Sequence, residues 1–192
     1  MTQKPLPKDN ILYLTTRKEW RSWLRTHFKT ETVVWLAYFK KETGKPRIQY
    51  NDAVEEALCF GWIDSTVRKV NDECFAQKFS KRNPTSKYSQ ANKVRLRSLA
   101  KRKKVHKEIL ERLGAILEEK YVIPKDILLY IKANKIAWKN FQKLSPQYKE
   151  IRIAFIDGAR KRPEEFAKRL RYFIRMTEDN KTIGFGGIEK HY

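Results

Sequence analysis

The residues in this chain best suited to chemistry gather between Trp62 and Asn92. Asp64 follows the seven residues Ala57 to Ile63, which are apolar apart from a single glycine. A carboxylate in such surroundings is costly unless a partner offsets its desolvation. Arg82 lies beyond a hairpin that begins just after Asp64, and hairpin geometry can return its guanidinium fork to the carboxylate. Trp62, Tyr88, Ser89 and Asn92 would then supply an aromatic wall and a few polar groups, the usual lining of a pocket for a small ligand or peptide. The same residues also suit a plainer role, in which Asp64, Arg82 and Asn92 pin the hairpin to the next helix. Spacing leaves both readings open.

A second group is defined by charge. Lys87, Lys93, Arg95, Arg97, Lys101, Arg102, Lys103, Lys104, Lys107 and Arg112 fall in one helical region that holds two acids, Glu108 and Glu111. The chain as a whole has 43 Lys and Arg against 22 Asp and Glu, a net charge of +21. That excess favours polyanionic partners, DNA or RNA first and anionic lipid second. Lys93, Arg97, Lys101, Arg102, Lys103, Lys104 and Lys107 are the candidate anion contacts. A basic amphipathic helix can equally be the solvated back of a packed one.

Catalytic and metal chemistry find less support. His27, His106 and His191 are scattered and none stands at a recognisable spacing from a nucleophile. Cys59 and Cys74 form no CxxC pair and have no histidine pair nearby, so no zinc site is expected. No catalytic residue, metal or cofactor is assigned. Two cysteines, one inside an apolar helix, fit inert thiols in a reducing compartment. The first residues lack the apolar core of an export signal, and no stretch approaches the roughly 20 apolar residues of a membrane span. A cytoplasmic protein is therefore expected. Nothing in the sequence speaks to oligomeric state, and the glycines of 182–187 lack the Lys-Ser/Thr of a phosphate loop.

The elements that must position these groups read as an α+β domain, a small antiparallel sheet with packed helices, followed by a helical C-terminal module. Thr16 is set to cap a helix over 17–28 with Trp20, Trp23, Leu24 and Phe28 on one stripe. Val33 to Phe39 suits a central strand covered on both faces. Arg47 to Gln49 is expected to pair with it as a short strand. Asn51 is expected to cap an apolar helix that breaks at Gly61 and closes on Asp64, with Glu55 and Glu56 as anions near its start. Thr66–Val70 and Cys74–Phe79 flank Asn71–Glu73 as a hairpin. Beyond the basic region, with a break near 100–104, three helices follow. They run over 124–134, over 136–144, and from Ser145-Pro146, where Ser caps and Pro takes the first turn, to about Arg160. Tyr148, Ile151, Phe155 and Ile156 are expected inside. Pro163 opens the last helix. The expected boundaries are a flexible lead-in at 1–14, the α+β domain at 15–120, the helical module at 121–180 and a flexible tail at 181–192.

Three blocks resemble the YdeI/OmpD-associated family of bacteriocin-protection proteins. The first is Tyr50 to Asp64. The second, Phe79 to Lys93, is similar to the family's Pro-Arg, Ser-x-Trp-Ser and Asn pattern, with Lys81 in the Pro place and Tyr88 in the Trp place. The third comprises Trp138 to Leu144, Ser145-Pro146 and Arg162 to Leu170, where Glu164-Glu165-Phe166 stands in place of the family's Glu-Thr-Arg. The resemblance implies a stress-protection role associated with resistance to bacteriocins and antimicrobial peptides, without an assigned reaction.

Overall fold

The computed structural model describes residues 11–184. These fall into two compact units, one formed by residues up to 87 together with 99–113, the other by 88–98 together with residues from 114 onward.

In the first unit the opening helix α1, Arg17–His27, starts at a full capping box. The Thr16 hydroxyl accepts from Glu19 N–H, and the Glu19 carboxylate accepts from the Thr16 N–H at 2.9 Å. Strand β2, Val33–Phe39, follows. It is paired on both edges, by β1, Ile11–Leu12, in parallel and by β4, Cys74–Lys81, antiparallel. Strand β3, Trp62–Lys69, completes the order β1-β2-β4-β3. The sheet is thus mixed, with an antiparallel core of three strands and one short parallel edge. With both edges of β2 occupied there is no place for Arg47–Gln49 as a strand. That segment is irregular, with Ile48 buried and Arg47 Nη1 donating to Phe39 O at 3.2 Å. The lead-in placed at 1–14 ends in β1; residues 1–10, and most of the tail placed at 181–192, lie outside the described residues.

Helix α2, Tyr50–Cys59, has Gln49 and not Asn51 at its N-cap position, with no side-chain capping bond. Asn51 lies inside the first turn, buried, and its amide donates to Glu55 Oε1 at 3.0 Å. The apolar run from Ala57 divides at Gly61, whose φ of 74° ends the helix in a left-handed turn that L side chains adopt only with strain. The second half of the run is β3. Asp64 therefore sits in a strand and does not close a helix. Trp20 anchors the layers: its Nε1 donates to Ala53 O at 3.0 Å, and its ring packs 5.2 Å from Phe79 on the sheet.

In the second unit, α6 (Lys125–Ala133), α7 (Lys135–Lys143), α8 (Pro146–Asp157) and α9 (Pro163–Glu178) enclose a core of Ile127, Ile131, Phe141, Tyr148, Ile153, Ile156, Leu170 and Phe173. Ser145 caps α8 by accepting from Tyr148 N–H at 3.1 Å, with Pro146 in the first turn. Phe155, expected inside, is 47% exposed. Helix α3, Gln90–Lys101, belongs to the second unit up to Ser98 and to the first from Leu99; α4, Lys107–Leu113, is in the first, and the short α5, Ala115–Glu118, in the second.

Candidate functional site

The geometry around Asp64 follows from the register of the β3–β4 hairpin. Asp64 faces Phe79, and the ladder then slips, so that Val67 is the next residue paired, with Gln77. The bulge frees the Ser65 carbonyl, which accepts from Gln77 Nε2 at 3.1 Å. The same amide lies 3.5 Å from Asp64 Oδ2, and the Tyr50 hydroxyl donates to that oxygen at 2.8 Å. The carboxylate is therefore answered from upstream, by the first residue of α2, and not by Arg82. Side chains alternate along a strand, and Arg82 is three residues past Phe79, which turns it to the other face of the sheet. Its N–H extends the ladder to Gly61 O at 2.9 Å, and its guanidinium donates to Ser86 O.

Trp62 is fully buried; its ring meets Trp23 edge-on at 5.8 Å and its Nε1 lies 3.4 Å from Phe28 O. It is a core residue and lines no open pocket. Tyr88, Ser89 and Asn92 belong to the second unit. Ser89 accepts from the Asn92 N–H at 3.3 Å and Asn92 Oδ1 accepts from Arg95 Nη1 at 3.0 Å, so both serve the start of α3. The site expected at Trp62, Asp64 and Arg82 thus resolves into separate roles. What does gather beside Asp64 is Tyr50, Gln77 and Tyr38. The Tyr38 hydroxyl is buried without a hydrogen-bond partner. Burial raises its pKa, and the nearby Tyr50 and Asp64 raise it further. Tyr38 and Gln77 were legible only as strand residues. Once β2 and β4 are paired, alternation places them on the Asp64 face.

A second polar cluster escapes the sequence reading. Glu55 and Glu56, expected as helix-start anions, are 0% and 2% exposed. Arg17 reaches Asp52 at 2.9 Å, Glu55 at 3.0 Å and Glu56, and Arg21 also binds Glu56. The signal was present in the sequence: two carboxylates inside an apolar helix require cations elsewhere, and Arg17 and Arg21 stand one turn apart on α1.

The candidate basic residues divide. Lys93 pairs with Glu119, and Arg97 meets Glu150 through two bonds of 2.9 and 2.7 Å, so both are neutralised within the second unit. Lys101, Arg102, Lys103, Lys104 and Lys107 are exposed in the first unit. Among the described residues none of Lys101, Lys103, Lys104 and Lys107 pairs with a carboxylate, and Arg102 stands 3.9 Å from Glu55. The turn is fixed by bonds from Lys103 N–H to Ala100 O and from Lys104 N–H to Leu99 O, both 2.9 Å, the pattern of a Schellman cap. Lys103 takes the position with φ 55° that glycine normally fills. Arg21 Nη2 donates to Lys104 O at 2.8 Å, which sets the exposed Lys18 and Arg25 of α1 on the same basic side.

Two of the three histidines pack against aromatic rings. His27 stacks on Trp23 at 4.7 Å, and His106 packs 4.7 Å from Phe28. Burial pushes the Cys59 thiol up to about 12, which leaves it protonated and unreactive at neutral pH. His191 lies outside the described residues. No helix of the described residues is long and apolar enough to cross a membrane.

Comparison with known proteins gives two adjoining family matches. Residues 12–112 match a domain of unknown function, DUF8412, and residues 120–180 match the family described as Bacteriocin-protection, YdeI or OmpD-Associated. The blocks at 50–64 and 79–93 thus fall in the first match, and only the C-terminal block falls in the second. No curated protein and no solved structure matches the chain. The chain belongs to the DUF8412 family through the domain that carries Asp64 and the basic turn, and its helical C-terminal module is of the bacteriocin-protection, YdeI or OmpD-associated family.

Proposed function

We propose that this chain is a non-enzymatic nucleic-acid-binding protein of the stress-protection kind, with its anion contact at the basic turn of the first unit. The observation that carries this reading is the exposed run Lys101, Arg102, Lys103 and Lys104, joined by the exposed Lys107 and tied to α1 through Arg21. Four consecutive cations on a turn that accepts a left-handed lysine give phosphates a compact positive surface. Cations at the end of α3 also favour its dipole, so the charge has a structural use that binding does not require. Protection against a bacteriocin is then indirect, because a surface of net charge +21 repels cationic peptides. The test is retention on heparin and a gel shift with labelled RNA and DNA. The variant replacing Lys101, Arg102, Lys103 and Lys104 by Gln should lose both. Retention equal to the parent protein would refute the assignment.

A second reading rests on the Tyr38 hydroxyl, which is buried, without a hydrogen-bond partner and beside Tyr50 and Asp64. A small polar ligand or peptide end that bonds to Asp64 would satisfy it. An ordered water would do the same. A ligand that raises the melting temperature of the parent protein and not of Tyr38→Phe supports this reading; equal shifts in both would end it.

A further inference from the structure

Between Asp126 and Glu150 the chain carries no acidic residue and five lysines, Lys132, Lys135, Lys139, Lys143 and Lys149. This segment contains the corner between α6 and α7, in the second unit. Asn134 makes the corner by ending α6 and capping α7, its Oδ1 accepting from Ala137 N–H at 2.9 Å. The inner faces of the two helices are consistent with their core: Ile127, Ile131, Ala137 and Phe141 are buried. The outer side breaks the pattern. Leu129 is 67% exposed, Tyr130 57% and Ile136 58%. These three large apolar side chains lie on the two helices that meet at Asn134, which also carry the exposed Lys132, Lys135 and Lys139. None of the three lysines pairs with a carboxylate among the described residues, and Lys132 Nζ stands 5.1 Å over the Trp138 ring.

We propose that this corner is a docking surface for the headgroup and upper acyl region of an anionic lipid bilayer. The occupant is chosen by charge and by the kind of apolar group presented. Lysines on flexible stems can keep their ammonium groups at anionic headgroups while Leu129, Ile136 and the Tyr130 ring enter the boundary below. Nucleic acid fits this corner less well, since Leu129 and Ile136 offer no ring on which a base could stack, Tyr130 alone supplies one, and the segment has no arginine. The inference is independent of the basic turn, which lies in the other unit.

The test is co-sedimentation of the full chain with vesicles of phosphatidylcholine alone and of phosphatidylcholine mixed with phosphatidylglycerol. The protein should bind the mixed vesicles and leave the neutral ones. Leu129→Ser with Ile136→Ser should weaken binding by about tenfold or more, since two buried aliphatic side chains are withdrawn. Lys132, Lys135 and Lys139 to Gln should weaken it too, and more at low salt than at high. These sites are on the surface, so melting temperatures should stay at the parent value. As a reading that does not depend on altering the docking residues, Trp138 emission should move to the blue on binding, by difference from Trp138→Phe. Failure to bind mixed vesicles would overturn the proposal. So would a Leu129/Ile136 variant that binds like the parent, or loss of binding caused by the 101–104 variant in its place, since either would leave only general charge attraction.

Discussion

Replacing Arg17 by Met should destabilise the first unit by about 3 kcal/mol, the lower end of what breaking a buried ion pair costs. The figure follows from how deeply each carboxylate is buried and what other cation it meets. Asp52 is 29% exposed and can turn to water, and Glu56 keeps Arg21. The loss therefore falls on Glu55, fully buried, whose Oε2 lies 3.0 Å from Arg17 Nη2 but off the N–H direction and so without a hydrogen bond. Glu55 keeps the Asn51 amide on Oε1 and Arg102 at 3.9 Å among its other contacts, neither of which replaces a guanidinium at 3.0 Å. Met keeps the apolar stem packed, which isolates the charge from the shape. Urea unfolding followed by circular dichroism gives the number, with each unit allowed its own transition. Glu55→Gln in the same background should recover most of the loss. A cost below about 1 kcal/mol, the range of an exposed pair, or no recovery on neutralising Glu55, would refute the argument that buried carboxylates hold α1 to α2.

Other consequences are equally direct. Lys103→Gly relieves a left-handed residue and should stabilise the protein by about 0.5–1 kcal/mol while weakening nucleic-acid binding, a divergence of stability and affinity read from melting and gel shift. Gly61→Ala should cost about 1–2 kcal/mol through its φ of 74°. The added Cβ would also stand 2.9 Å from Ile109 Cδ1, but that chain end can move, so Ile109→Val should recover little; substantial recovery would show that the clash, not the backbone, sets the cost. The Thr16 backbone and side-chain bonds hold the Glu19 carboxyl below its ordinary value of 4.5. A depressed folded pKa means the capping contribution is present above pH 4.5 and lost as pH falls through the lower folded value. Acid titration of Glu19→Gln beside the parent protein should show that part of the slope removed.

The sequence made the α+β class legible because Val33–Phe39 is β-branched and aromatic with no helical stripe, while Trp20, Leu24 and Phe28 repeat at helical spacing. Thr16 and Ser145 marked true helix starts because a cap depends on residues within one turn. The run Ala57–Ile63 was opaque for the opposite reason: continuous apolarity has no period, so its division into the end of α2 and the start of β3 rests on Gly61 alone. The pairing of Asp64 with Arg82 failed on parity, since a hairpin brings residues together only on the same face. Asp64's actual partner, Tyr50, is the first residue of α2, so the rest of that helix separates the two in sequence. Lys93 and Arg97 looked like free charge because Glu119 and Glu150 meet them only after the chain has folded.

The most direct test of the central claim is the salt dependence of affinity for a labelled single strand, measured for the parent protein and for the variant with Gln at 101, 102, 103 and 104. If these cations bind phosphates, the logarithm of the association constant falls linearly with the logarithm of salt. The variant's slope should then be shallower by about 0.7 for each phosphate it no longer neutralises. A parent protein that fails to bind at low salt, or a variant with the same slope and affinity, would contradict a nucleic-acid role for the turn and leave its charge to the end of α3.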